Sequence, residues 1–170
     1  MHKRYAVVFT SKTGNTRHLA EGIRKQLGEE ECGYFGAPDA AALEADVVFA
    51  GFWTDRGSCD GEMAAFLESL SNQQLFLFGT AGFGGDPAYF EKILETVKSH
   101  VAATVSVIGT YMCQGQMPLA VRRRYEAMED DARREAMLMN FDRAVGHPDA
   151  ADLQALWTSV SRTLARESQK

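Results

Sequence analysis

The sequence is short of cysteine, of basic charge and of long apolar runs, and each shortage excludes something. No stretch approaches the ~20 apolar residues needed to cross a bilayer. Met1-His2-Lys3-Arg4 carries the charge of a signal n-region, but the apolar run behind it, Tyr5 to Phe9, is too short for an h-region. A cytoplasmic protein is expected. Cys32, Cys59 and Cys113 are odd in number and far apart, with no Cys/His cluster at metal-ligand spacing. They read as idle thiols of a reducing compartment, and no metal is expected. Eighteen Lys+Arg against 23 Asp+Glu give a net charge of −5. That argues against a general nucleic-acid binder, which needs a basic face, and is compatible with docking onto basic protein surfaces. The four histidines, His2, His18, His100 and His147, are scattered, and no acid/base dyad or nucleophile is apparent, so no catalytic residue is named.

What is present is an ordinary globular composition, 45% hydrophobic and 24% charged. A length of 170 residues suits one domain spanning 1–170. Apolar runs at Tyr5–Phe9, Asp46–Phe52, Leu75–Gly79 and Val105–Gly109 do not alternate in polarity, as in parallel strands buried on both faces. A weaker strand is placed at Cys32–Phe35, blurred by Gly33 and Gly36. Helical spacing fills Thr16–Leu27, Gly61–Leu70 and Ala88–Ser99. The alternation implies an α/β doubly wound sheet, whose ligands bind beyond the carboxyl ends of the strands. Further on, Pro118 fits a helix N1 position, and Leu119–Met128 and Asp130–Val145 read as helices. They form an insert over about 118–146. A closing helix over about 149–166 starts with Asp149 as a carboxylate N-cap.

The strongest signal is the loop Thr10-Ser-Lys-Thr-Gly-Asn-Thr16, between the first strand and a helix. Its hydroxyls, amide and glycine sit where a helix N-terminus adds roughly half a positive charge, which makes a phosphate cradle. The spacing is neither that of a Walker A loop nor that of a Gly-x-Gly-x-x-Gly dinucleotide loop.

Ser11-x-Thr13-Gly14-Asn15-Thr16 resembles the FMN phosphate loop of flavodoxins. Two later segments fit in order: Gly51-Phe-Trp-Thr-Asp-Arg-Gly57 is similar to the family's first flavin-stacking loop, and Thr80-Ala-Gly-Phe-Gly-Gly-Asp86 with Tyr89 to the second. Phe52 to Gly57, Leu77 to Thr80, Cys113 to Met117 and Gly146 to Asp149 point to a bacterial branch of small flavodoxin-like proteins. The resemblance covers roughly 5–111. It implies a flavodoxin-like five-stranded parallel sheet with helices on both faces, extra C-terminal helices, and FMN as cofactor. It implies ligand roles for Ser11, Lys12, Thr13, Gly14, Asn15, Thr16, Phe52, Trp53, Thr54, Asp55, Gly57, Thr80, Ala81, Gly82 and Phe83. Trp53 would stack on the flavin, with Phe83 or Tyr89 on its other side. Gly57 would allow a backbone change near the ring. Lys12 departs from the usual uncharged loop and would meet either the phosphate or solvent. Arg56 departs from the acidic surroundings expected and would reach either the ring or a partner.

The resemblance implies an electron-transfer protein, a monomer or weak dimer, working with a redox partner protein. A flavin-dependent reductase is one such partner, because gut-bacterial relatives in the branch accompany a reductase acting on bilirubin. The alternative is an FMN-dependent oxidoreductase acting directly on a small acceptor such as a quinone or tetrapyrrole. The insert motivates that alternative. The stretch from Met112 to Met139, which includes most of it, holds five of the seven methionines and reads either as a helical core with a charged outer face or as a lid or partner surface beside the flavin.

Overall fold

A computed structural model describes residues 4–170, so His2 and most of the n-region lie outside the described residues. Five strands, β1 (Tyr5–Phe9), β2 (Cys32–Gly36), β3 (Val47–Trp53), β4 (Gln74–Ala81) and β5 (Ser106–Gln114), form one parallel sheet in the order β2-β1-β3-β4-β5. Its central strands are apolar on both faces because both faces are covered. On one side α1 (Asn15–Leu27) and α6 (Ala150–Glu167) set Leu19, Ile23, Leu156 and Val160 against Val7, Phe49, Phe76 and Phe78. On the other, α2 (Gly61–Ser69) and α3 (Pro87–Lys98) set Met63, Leu67, Ile93 and Val97 against Val8, Val48, Phe52 and Leu77. The expected doubly wound sheet is therefore observed.

Two reciprocal pairs lock the centre. Gly51 of β3 is paired with Phe78 of β4, and Phe52 with Gly79. A Cβ on Gly51 would meet the Phe78 ring, and one on Gly79 would meet the Phe52 ring. Each ring fills the space its neighbour leaves, on opposite faces of the sheet.

Several boundaries differ from the sequence reading. Thr80 and Ala81 belong to β4, and β5 runs on to Gln114, because the ladder continues through Thr80↔Cys113 and Ala81↔Gln114. Polar residues at a strand end carry no apolar signal. Two 3-10 turns, Glu29–Glu31 and Ala40–Glu44, were not anticipated; Asp39 caps the second by accepting from the Ala41 amide. Pro118 is the N-cap of α4 (Leu119–Glu126) rather than its N1 residue. The acidic run Glu129-Asp130-Asp131 divides the insert, with Asp130 capping α5 (Asp131–Ala144).

Asp149 caps α6 as expected, in a reciprocal capping box with Asp152. The histidines near it and elsewhere have ordinary surroundings. His147 meets Asp152 Oδ2 at 2.6 Å, and His100 meets Glu68 at 3.1 Å. All three cysteines are free. Burial pushes the Cys113 thiol up to about 12, which keeps it protonated and inert. Among the described residues no helix is long and apolar enough to cross a membrane.

Replacing the fully buried Leu156 by Ala should lower the urea-unfolding free energy by about 2–5 kcal/mol, by leaving a cavity under α6. The Asp152 amide holds the Asp149 carboxyl below its ordinary value of 3.8. Its stabilising effect is thus complete above 3.8 and fades as pH falls through the lower folded value. The melting-temperature gap between the parent and Asp149→Ala should therefore be widest at neutral pH and shrink on acidification below 3.8.

Candidate functional site

The carboxyl ends of β1, β3, β4 and β5 open at one edge. There the chain leaves β1 through Thr10, whose amide extends the sheet ladder to the Gly51 carbonyl (3.0 Å) and whose hydroxyl donates to Asp60 (2.8 Å). Ser11 Oγ accepts from the amides of Gly14 (3.1 Å) and Arg17 (3.2 Å), which curls the loop over the start of α1. Gly14 caps that helix at φ +94°, a left-handed conformation that glycine adopts without penalty. The next amides, of Asn15 and Thr16, have no partner among the described residues. Unpaired N–H groups at a helix start favour an anion.

The second wall leaves β3. Thr54 binds the Thr80 carbonyl twice, through its amide and its hydroxyl, both at 2.9 Å. Asp55 and Ser58 then exchange backbone hydrogen bonds at 2.7 and 3.0 Å. Between them Arg56 and Gly57 have φ of +49° and +80°, the pattern of a type I′ turn. Trp53 stands at the strand end with Lys12 Nζ 5.0 Å from its ring centroid. Lys12 thus lies over the indole as a cation–π partner, an arrangement that neither sequence alternative contained.

The third wall is built by the end of β4, the tip of β5 and the insert. Phe83 and Tyr89 meet edge-on, with centroids 6.4 Å apart. The Gly82 carbonyl accepts from Gln114 Nε2 (2.9 Å) and Asn140 Nδ2 (3.0 Å), which ties α5 to the loop after β4. Asn15 Nδ2 donates to the Gln116 carbonyl (2.9 Å). That approach requires a glycine beside it: a Cβ on Gly115 would stand 2.6 Å from Asn15 Nδ2. Gln116 in turn joins the Gly146–His147 backbone, donating its amide to the His147 carbonyl (2.8 Å) and accepting from the Gly146 amide (2.9 Å).

These walls enclose a cleft of about 410 Å³. Of the residues singled out from sequence, Lys12, Thr13, Asn15, Trp53, Thr54, Gly57, Thr80, Ala81, Gly82 and Phe83 line it. Thr16 lies just beneath, fully buried, its hydroxyl 3.0 Å from that of Thr80. Ser11 and Gly14 shape the loop without lining the cleft. Phe52 and Asp55 are not brought in. The Phe52 ring is fully buried over Gly79, and Asp55 is held in its turn. Sequence reasoning missed Val121 and Tyr125, which with Met117 and Arg124 add the insert's side of the wall. Only the methionine-rich, arginine-rich character of that stretch hinted at them.

The flavodoxin domain model matches residues 6–161. The chain belongs to the flavodoxin family. It is 38% identical over 173 residues to the flavodoxin-like domain-containing protein BilS of Clostridium symbiosum (strain WAL-14163), covering 89% of this chain and 91% of that one. A flavodoxin of Streptococcus pneumonia TIGR4 superimposes with a TM-score of 0.52 at 20% identity, over 83% of this chain and 99% of that one. A flavoprotein of Lactobacillus acidophilus NCFM, solved in complex with FMN, gives 0.50 at 13% identity, over 65% and 93%. These two likenesses concern the fold. This flavodoxin fold is the FMN-binding one, and the donor set fits that cofactor. Free helix-start amides and hydroxyls suit a phosphate dianion, and the aromatic walls suit a planar ring.

The Thr16–Thr80 bond offers a test of how the cleft floor is held. Thr80→Val strands the buried Thr16 hydroxyl and should cost about 1–3 kcal/mol in chemical denaturation. The Thr16→Val/Thr80→Val double variant should be less destabilised than the sum of its singles, because neither hydroxyl is then orphaned.

Proposed function

We propose that this chain holds FMN in the cleft at the carboxyl edge of its sheet and passes electrons to a redox partner protein in the cytoplasm. A flavin-dependent reductase is the partner class the reading favours. The observation that carries it is one cleft lined both by Asn15, at the start of a helix whose first amides lack partners among the described residues, and by Trp53. Bound FMN would supply one- and two-electron redox chemistry, leaving the protein to bind, orient and tune it. Thr13, Asn15 and the loop amides would take the phosphate, with Ser11 and Gly14 fixing the loop's curl. Trp53 and the Phe83–Tyr89 pair would bracket the ring. Thr54, Gly57, Thr80, Ala81 and Gly82 would present backbone groups along its edge. Phe52 would act only from below, by holding the register of β3 against β4. The 1–170 chain would work as one domain, monomeric or weakly dimeric.

A second reading is an FMN-dependent oxidoreductase acting on a small acceptor such as a quinone or tetrapyrrole. It draws support from Val121 and Tyr125 of α4, which line the same cleft and narrow it. Steady turnover of such an acceptor without a partner protein would favour it over the carrier.

FMN titrated into the apoprotein should lose fluorescence with one-to-one stoichiometry. Trp53→Ala should weaken binding roughly tenfold or more, through lost stacking and lost burial. A protein that gains no flavin would overturn the proposal.

A further inference from the structure

We infer that the mouth of the cleft is a cationic docking surface for an acidic redox protein; this rests on the FMN reading above. The chain carries a net charge of −5. Yet the three charged residues lining the cleft, Lys12, Arg56 and Arg124, are all cations, and no Asp or Glu lines it. None of the three takes part in an ion pair among the described residues. Two neighbouring carboxylates are engaged elsewhere, while Asp55, beside Arg56, stays outside the lining. Asp60 accepts from the Thr10 hydroxyl, and Asp86 caps α3. The chain's own charges lining the mouth are therefore opposite in sign to the net charge of the whole molecule.

The backbone at Arg56 points the same way. Its φ of +49° is a conformation that Gly or Asn adopts at lower cost. An exposed arginine there, with no ion-pair partner among the described residues, is placed for what its side chain meets outside. Arg124 answers it from a different element, the exposed face of α4. Apolar surface lies with them: Phe83 is 38% exposed, and Leu119, next to the cleft-lining Pro118, is 66% exposed. Arginine and aromatic side chains without Asp or Glu match the core of a protein interface. The occupant is therefore a protein whose own redox centre is ringed by carboxylates.

Long-range attraction at low salt follows the net charge, and docking at higher salt follows the rim, because the Debye length is about 10 Å at 0.1 M. The experiment uses the FMN-loaded full chain, reduced beforehand with dithionite and freed of excess reductant. Two one-electron acceptors are compared by stopped flow at saturating FMN: an acidic blue-copper protein, whose Cu(II) becomes Cu(I), and a basic c-type cytochrome, whose Fe(III) becomes Fe(II). Each acceptor takes one electron from the reduced flavin. From about 0.1 M salt upward, the rate constant with the acidic acceptor should fall, and that with the basic acceptor should rise or stay level. The Arg56→Glu/Arg124→Glu variant should lose roughly tenfold with the acidic acceptor and gain with the basic one. Arg56→Gln/Arg124→Gln should show a smaller loss with the acidic acceptor, and serves if the charge-reversed variant does not fold. A rate with the acidic acceptor that rises with salt, or that survives these substitutions, would overturn the docking proposal alone. A parent protein that takes up no FMN would overturn both this proposal and the FMN reading.

Discussion

The parallel pairing of β1 with β3 and of β3 with β4 is the constraint on which the cleft depends. Parallel strands all run the same way, so three separate loops must leave the sheet at one edge. The ladder continues into those loops, through the Thr10 amide on Gly51 and Thr54 on Thr80. The register beneath is fixed by side-chain volume, because Phe78 fits over Gly51 and Phe52 over Gly79 only in the observed pairing. A slip of one residue would turn both rings to the wrong faces. Phe52 thus matters to the site as a core residue.

What distinguishes the chain is how it finishes the cleft. The tip of β5 threads between the loop after β1 and the loop after β4, touching both through close approaches at Gly115 and Gly82. Behind it, α4 and α5 bury little of their own: α4 has no buried residue, and α5 has only Phe141 and Ala144. Arg122 ties the two helices, bonding Glu126 and Asp142 and lying over Phe141. Such a hairpin is held more by polar bonds than by apolar burial. It brings Tyr125 and Met117 to the cleft, where the Tyr125 hydroxyl points at the Met117 sulfur from 3.9 Å. Of the methionine-rich stretch, Met117 lines the cleft, Met112 packs against the core and Met139 is exposed.

Much of this was legible in the chain itself. Buried parallel strands need unbroken apolar runs, so β1, β3 and β4 announced themselves. Helix faces needed Leu19 with Ile23 and Leu156 with Val160 at helical spacing, and these are the residues buried. A phosphate-type loop draws on local backbone conformation, so Thr10 to Thr16 carried its meaning in seven consecutive positions. Strand ends at Thr80 and Gln114 were less visible, since polar residues there are held only by a neighbouring strand.

The tertiary structure alone decided which chemically suitable residues meet. It put Lys12 over Trp53, sent the Phe52 ring under the sheet, and gathered Lys12, Arg56 and Arg124 around one opening in an acidic chain. Those outcomes join positions tens of residues apart. Local spacing constrains a residue's own backbone and its nearest turns. It does not fix the relative placement of distant loops, which follows from sheet register, helix packing and the volume of each ring.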